Sequence, residues 1–319
     1  MGLWRRRGER WALAATWVLL PFVAGPALAT SLDPRSTGFR SAASVGLWLI
    51  WGATLVATLV PRTVSLTAVR IVAPAALAAT VWAAAAAADP GLADGVALAY
   101  SALVTAVAFS PGTGDAFANG SSYGHERRFP LRAPGALLLG PIELAWLVVV
   151  AGAVTGPLLL AAHQWVAGAV VLLVGWPAAF LAVRMLHGLS RRWLVFTPAG
   201  VVVHDPMVVI EAMLVLRRHL SRLRPAPADT TARDLTMGAP GVALEIDLTE
   251  AIPITPRPAR LPVSPPRPSS PRRWPPCSSP PAAPAWCCWR PTSGVCPSVE
   301  RDRHRGLTGD GQEGPVRSP

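Results

Sequence analysis

The chain has 319 residues, 51% of them apolar, with a net charge of +11 from 29 basic and 18 acidic side chains, and a mean hydropathy of +0.39. That composition argues against an ordinary soluble domain and for the bilayer. Every basic residue is Arg and none is Lys; since nucleic-acid proteins normally use both, and these arginines sit where membrane topology wants them, no nucleic-acid partner is expected.

A membrane-crossing helix needs about 20 apolar residues to cover roughly 30 Å of hydrocarbon. Six stretches meet or approach that length: Trp11–Thr30, Ser44–Val60, Leu66–Ala88, Ala93–Ser110, Gly135–Leu160 and Val166–Leu186. Pro21, Pro74, Pro141, Pro157 and Pro177 fall inside them, which a bundle tolerates where neighbours satisfy the freed carbonyls. Orientation follows from the arginines of the short loops. Arg5, Arg6, Arg7 and Arg10 precede the first span. Arg62 and Arg70 follow the second, Arg127, Arg128 and Arg132 the fourth, and Arg191 and Arg192 the sixth. The alternate loops hold Arg35 and Arg40, then Asp89 and Asp94, then the neutral Ala161–Gln164. The pattern predicts both termini in the cytoplasm of a plasma-membrane protein. A rival concerns the first span, because an Arg-rich start, an apolar stretch and Ala27-Leu28-Ala29 before Thr30 also read as a cleavable signal peptide.

Two groups of residues are candidates for chemistry. Ionisable side chains in a bilayer are expensive and therefore functional candidates. Arg70, Glu143 and Arg184 all fall in the cytoplasmic third of their spans, so the expectation is an ion pair of Glu143 with either arginine, or two arginines snorkelling to headgroups, with a proton or ion relay through Glu143 as the sharper alternative. The second group is the connection Pro111–Pro134, far longer than its neighbours; long connections without structure are functional or disordered. It carries Asp115, Asn119, Tyr123, His125, Glu126, Arg127 and Arg128 among four glycines between Gly112 and Gly124, a composition suited to a binding turn, beside the plainer expectation of a cytoplasmic connector whose arginines enforce topology. Its glycine spacing fits no phosphate loop, since no Lys follows and no strand precedes. Gly152 and Gly156 form a GxxxG that permits close helix approach. Packing against the sixth span is the expectation there, and homodimerisation the alternative.

Beyond the sixth span the texture changes. Trp193–Thr197 and Val201–His204 are β-branched runs separated by Pro198-Ala199-Gly200, a hairpin signal. Met207–Arg224 reads two ways: Val209, Met213, Leu216, Leu220 and Leu223 suit an amphipathic helix, while Met207–Leu216 is an apolar run that suits a strand. Val242, Leu244, Ile246 and Leu248 alternate with Ala243, Glu245, Asp247 and Thr249, as in a half-buried strand. From Pro253 onward stand 17 prolines in 67 residues, half of the chain's 34, and disorder is expected. Its odd texture suggests a frameshift near Ala259–Pro268. Cys277, Cys287, Cys288 and Cys296 all lie in this tail, in a spacing that matches no zinc pattern, so neither a metal nor another cofactor is expected.

The fold class is thus an all-α transmembrane bundle of about six helices (residues 1–188), a small β-rich cytoplasmic module (189–252) and a disordered Pro-rich tail (253–319). The chain resembles the uncharacterised multi-pass membrane proteins common in actinobacteria, of which Ala118–Gly124 followed by Glu126-Arg127-Arg128 looks like a signature. Trp193–Asp205 is similar to the opening strands of bacterial pleckstrin-homology-like domains. The resemblance covers about residues 1–255 and implies no particular activity. The expectation is a non-enzymatic membrane protein whose residues 189–252 bind a protein partner or sense a signal. A small transporter or channel using Glu143 is the alternative.

Overall fold

A computed structural model describes residues 2–227, 230, 232, 234–250 and 287–291, of which 2–10 and 287–291 are described by backbone alone. Seven helices open the described chain: α1 Gly2–Leu32, α2 Thr37–Leu59, α3 Thr63–Ala86, α4 Leu92–Phe109, α5 Pro111–Ala118, α6 Pro141–Ala161 and α7 Trp165–Ser190. All except α5 contain a stretch long and apolar enough to cross a membrane, that of α1 being Trp11–Leu32. Leu49, Leu173, Val174 and Leu181 are each more than half exposed, as side chains facing acyl chains would be. The chain is a multi-pass membrane protein.

After the first span, two helix starts differ most from the hydropathy reading, each for a local reason. α2 begins at Thr37 instead of Ser44, because the Ser36 hydroxyl accepts the Phe39 N–H at 3.4 Å and caps the helix across the polar Arg40. α6 begins at Pro141, six residues late. Gly135–Leu138 forms a 3-10 turn and Gly140 takes φ 128°. Pro141 then presets the first helical φ, and Glu143 accepts the Gly140 N–H at 3.0 Å.

Helices without a hydrophobic drive between them associate through close packing and interhelical hydrogen bonds. Pro21 has no N–H for the Trp17 carbonyl one turn back. The Trp51 indole donates to that carbonyl at 3.0 Å, and the Trp17 indole donates to the Trp51 carbonyl at 3.0 Å, tying α1 to α2 reciprocally. The Tyr100 hydroxyl donates to the Thr16 carbonyl at 2.9 Å, joining α4 to α1. The Trp146 indole donates to the Ile71 carbonyl at 2.9 Å, joining α6 to α3 close to Pro74 within α3. Leu13, Trp17, Leu66, Val69, Val104 and Phe117 form the bundle core. The glycine pair packs as expected: a Cβ on Gly152 would lie 2.6 Å from the Gly175 carbonyl of α7, so α6 and α7 form a tight hairpin.

After α7 comes a β module of two sheets around one apolar core. The first sheet has the antiparallel order β1-β2-β3-β4, with β1 Arg127–Pro130, β2 Trp193–Thr197, β3 Gly200–His204 and β4 Met213–Leu216. The second pairs β5 Leu220–Pro225 antiparallel with β6 Leu244–Leu248, and β7 Cys287–Pro291 parallel to β6. Leu194, Val201, Val203 and Val215 meet Ile246, Leu248 and Leu235 in the core. The hairpin at Pro198-Ala199 is formed, with Gly200 so close to the Val215 carbonyl that no Cβ would fit.

Three expectations need correction. The helical reading of Met207–Arg224 is not realised: Val215, wholly buried, places β4 in the sheet, and a 3-10 corner at Arg217–His219 leads into β5. On β6 both faces are covered, since Glu245 is 2% exposed as well as Ile246, while Val242 before the strand is open to solvent. In the tail expected to be disordered, Cys287–Pro291 forms a strand; residues 251–286 and 292–319, with Cys277, Cys296 and the suggested frameshift, lie outside the described residues.

Candidate functional site

The Pro111–Pro134 connection is not a free loop. Its first part is α5, capped by Ser110, whose hydroxyl accepts the Thr113 N–H at 3.2 Å, and started by Pro111. α5 inserts Phe117, wholly buried, into the bundle core. The last part is β1, which pairs residue by residue with β2: Arg127 with Phe196, Arg128 with Val195, Phe129 with Leu194 and Pro130 with Trp193. The edge strand of the module is therefore donated by the bundle's own connection, ahead of the two spans α6 and α7.

Asn119 joins the two parts. Its Nδ2 donates to the Asp115 carbonyl at 2.8 Å and to the Arg128 carbonyl at 2.8 Å, while its Oδ1 accepts the Arg128 N–H at 2.8 Å. One carboxamide thereby supplies the hydrogen bonds that a neighbouring strand would give Arg128, and ties them to the end of α5. Gly120 lies against the Pro61 carbonyl and ring in the α2–α3 turn, where a Cβ would collide with backbone, and Gly124 has φ 57°, a conformation glycine tolerates without strain. The Ser122 hydroxyl donates to the Asn119 carbonyl at 2.7 Å. Glu126 accepts from Arg128 Nε at 2.9 Å and from the Tyr123 N–H at 3.3 Å. The bonded Arg128 guanidinium holds its carboxyl below the usual carboxylate range.

A row of three side chains crosses the sheet from Arg128. Its guanidinium carbon lies 5.4 Å from the Trp193 ring, and Trp193 stacks on His204 at 5.2 Å and 18°. Burial, and after it the Arg191 charge, push the His204 imidazole below its ordinary value near 6.5. Its Nε2 is buried and unpartnered. A base whose folded pKa is depressed costs nothing where both states are neutral and destabilises the fold where only the unfolded chain takes a proton. The β module should therefore keep constant stability above about pH 7.5 and lose it as pH falls through the ordinary histidine range. Urea unfolding followed by module tryptophan fluorescence would read this, and a His204→Phe variant should lose much of the slope between about pH 7 and 5.5.

Beneath this row lies the best-buried ion pair among the described residues. Arg192, 1% exposed, donates through Nη2 at 2.6 Å and Nε at 2.9 Å to Asp205 Oδ2, and through Nη1 at 2.9 Å to the Arg132 carbonyl. Asp205 Oδ1 accepts the Met207 N–H at 3.1 Å. One guanidinium thus joins the exit of α7 to the end of β3 and to the chain running toward α6. In the sequence Arg192 reads as a topology arginine and Asp205 carries no motif; the turn-forming Asp205-Pro206 pair was the one available signal.

The other candidate residues are placed apart. No ion pair joins Glu143 to Arg70 or Arg184 among the described residues. Glu143 is an exposed cap of α6, and Arg184, also exposed, lies over the Phe180 ring at 5.8 Å. Helix rotation explains the failure: equal depth does not bring side chains to facing sides. Arg70 lies with its guanidinium carbon 5.6 Å from the Phe109 ring and Nη2 3.1 Å from where a Gly114 Cβ would be, its Nε buried and unpartnered. Glu143→Gln retains the acceptor for the Gly140 N–H and should express and fold as the native chain does. A marked loss of folded protein would overturn the capping role. Of the connection residues, Asn119, Glu126 and Arg128 are brought together, Arg127 lies over Phe129 at 4.7 Å, Asp115 contributes its carbonyl, and Tyr123 and His125 are exposed. Among the described residues no three His, Cys, Asp or Glu side chains cluster as metal ligands would.

No family model, curated protein or solved structure matches the chain.

Proposed function

We propose that this is a non-enzymatic membrane protein with both termini in the cytoplasm, whose β module binds a protein partner there and passes the event to the bundle. The observation that carries the reading is the shared strand. β1 belongs to the module's sheet, yet through Asn119 and α5 it is continuous with a helix whose Phe117 sits in the bundle core. Such an arrangement gives two packed bodies a route for coupling that a flexible linker would lack. The orientation rests on the arginines, which crowd the end of the bundle that carries the module. The module leaves Ile210, Leu214 and Val242 each near half exposed or more, apolar area open to a partner.

Photo-crosslinkers at Leu214 and Val242, in the full chain and in its native membrane, test this. A discrete protein adduct at these positions, absent from a crosslinker at Leu92 on the opposite end, is expected. Equal labelling at all three would remove the reading. Excising residues 190–252 is a poorer test, because it also strips β1 of its partner strand.

A further inference from the structure

At the end of the bundle away from the β module, a groove of about 490 Å³ opens between the α1–α2 turn and the ends of α6 and α7. Its wall is apolar: Phe39 from α2, and Val154, Leu158 and Leu159 from α6. Its mouth is polar, with Arg35, Ser36 and Gln164. Val154 is more than a third exposed, and Leu158 and Leu159 are partly so, in the last two turns of a membrane span. The wall is therefore continuous with the acyl-chain region while the mouth stands at headgroup depth.

The charge at this mouth is unusual for its place. Arg35 and Arg40 are the arginines of the arginine-poor end, and cations there oppose the bias that sets topology. Arg40 is neutralised, with Nη2 3.3 Å from Asp33. Arg35 is exposed and its guanidinium makes no ion pair or hydrogen bond among the described residues, while Ser36 beside it spends its oxygen on the α2 cap. An unpaired guanidinium above an apolar trough has the complement of an anionic amphiphile: a phosphate for the fork of donors, and acyl carbons for the wall. The volume is in the range of a compact ligand, enough for a headgroup and the upper part of one chain.

We propose that this groove holds an anionic phospholipid of the surrounding bilayer, its phosphate on Arg35 and one acyl chain along Val154, Leu158 and Leu159. The full chain would be reconstituted in phosphatidylcholine vesicles carrying a trace of phosphatidylglycerol with a photoreactive group high on one chain. Crosslinks should map to residues 34–39 and 154–164, and the phosphatidylcholine analogue should label these peptides far less. Arg35→Gln should lower that labelling about tenfold, the loss expected for one charge-assisted contact. Thr155→Trp, which fills the groove from an exposed position, should lower it as much, whereas Arg40→Gln should leave it unchanged. Undiminished labelling in Arg35→Gln overturns the proposal. So does equal labelling by the phosphatidylcholine analogue, an Arg40→Gln loss as large as that of Arg35→Gln, or displacement of the lipid by inorganic phosphate alone.

Discussion

Replacing Asp205 with Ala should destabilise the β module by about 3–5 kcal/mol, the cost of stranding one member of a buried pair. Arg192 would remain 1% exposed with Nε and Nη2 facing no counter-charge, and the Met207 N–H would lose its acceptor. A guanidinium cannot shed its proton to escape, so the site must open to water instead. Small domains have only about 5–15 kcal/mol in total, so most of the module's margin would go. Arg192→Met alone should do similar harm by leaving the carboxylate. The double replacement Arg192→Met with Asp205→Leu should recover much of the loss, since an apolar pair of similar volume has no charge to desolvate. The check is thermal unfolding of the three variants in nanodiscs. Losses that simply add, with no recovery in the double variant, would show that the pair is not coupled.

Asn119→Ala should have the second-largest effect, about 2–4 kcal/mol on the docking of β1, because it leaves the Arg128 N–H and carbonyl without partners at the strand edge. Its signature differs from that of Asp205→Ala. The bundle helices should stay protected and the β2–β3 hairpin largely so, while residues 119–131 exchange quickly. Asn119→Asp keeps the acceptor for the Arg128 N–H but removes both donated bonds, and should fall between the native chain and Asn119→Ala. Uniform destabilisation of bundle and module alike would contradict a local clamp.

The residues show which parts of this fold are legible from sequence. The six spans could be read because hydrophobicity is a sum over about 20 residues and survives an error of several positions. The β2–β3 hairpin could be read because Pro198-Ala199-Gly200 is local turn chemistry. β1 could not. Arg127-Arg128-Phe129-Pro130 is short, basic and ends in Pro, features that speak against a strand except at a sheet edge, where Pro is tolerated. Its partner lies more than sixty residues away, beyond two membrane spans. Asn119, Glu126 and Arg128 stood among seven candidates of one connection, and nothing in the sequence set them apart; in the structure the Asn119 carboxamide meets the Arg128 backbone across the break between helix and strand, and Glu126 holds the Arg128 side chain. The Glu143 pairing failed because depth in a bilayer fixes one coordinate, and contact needs the facing angle too.

Hydrogen exchange of the full chain in a lipid nanodisc tests the central claim most directly, that the α4–α6 connection is part of the β module. The Leu131 N–H donates to the Arg192 carbonyl at 3.0 Å, and the Arg128 N–H donates to Asn119. Peptides covering residues 126–132 should therefore exchange as slowly as those of β2 and slow together with them. Complete exchange of that segment within seconds, beside a protected β2–β3 hairpin, would return Pro111–Pro134 to a free loop and remove the coupling.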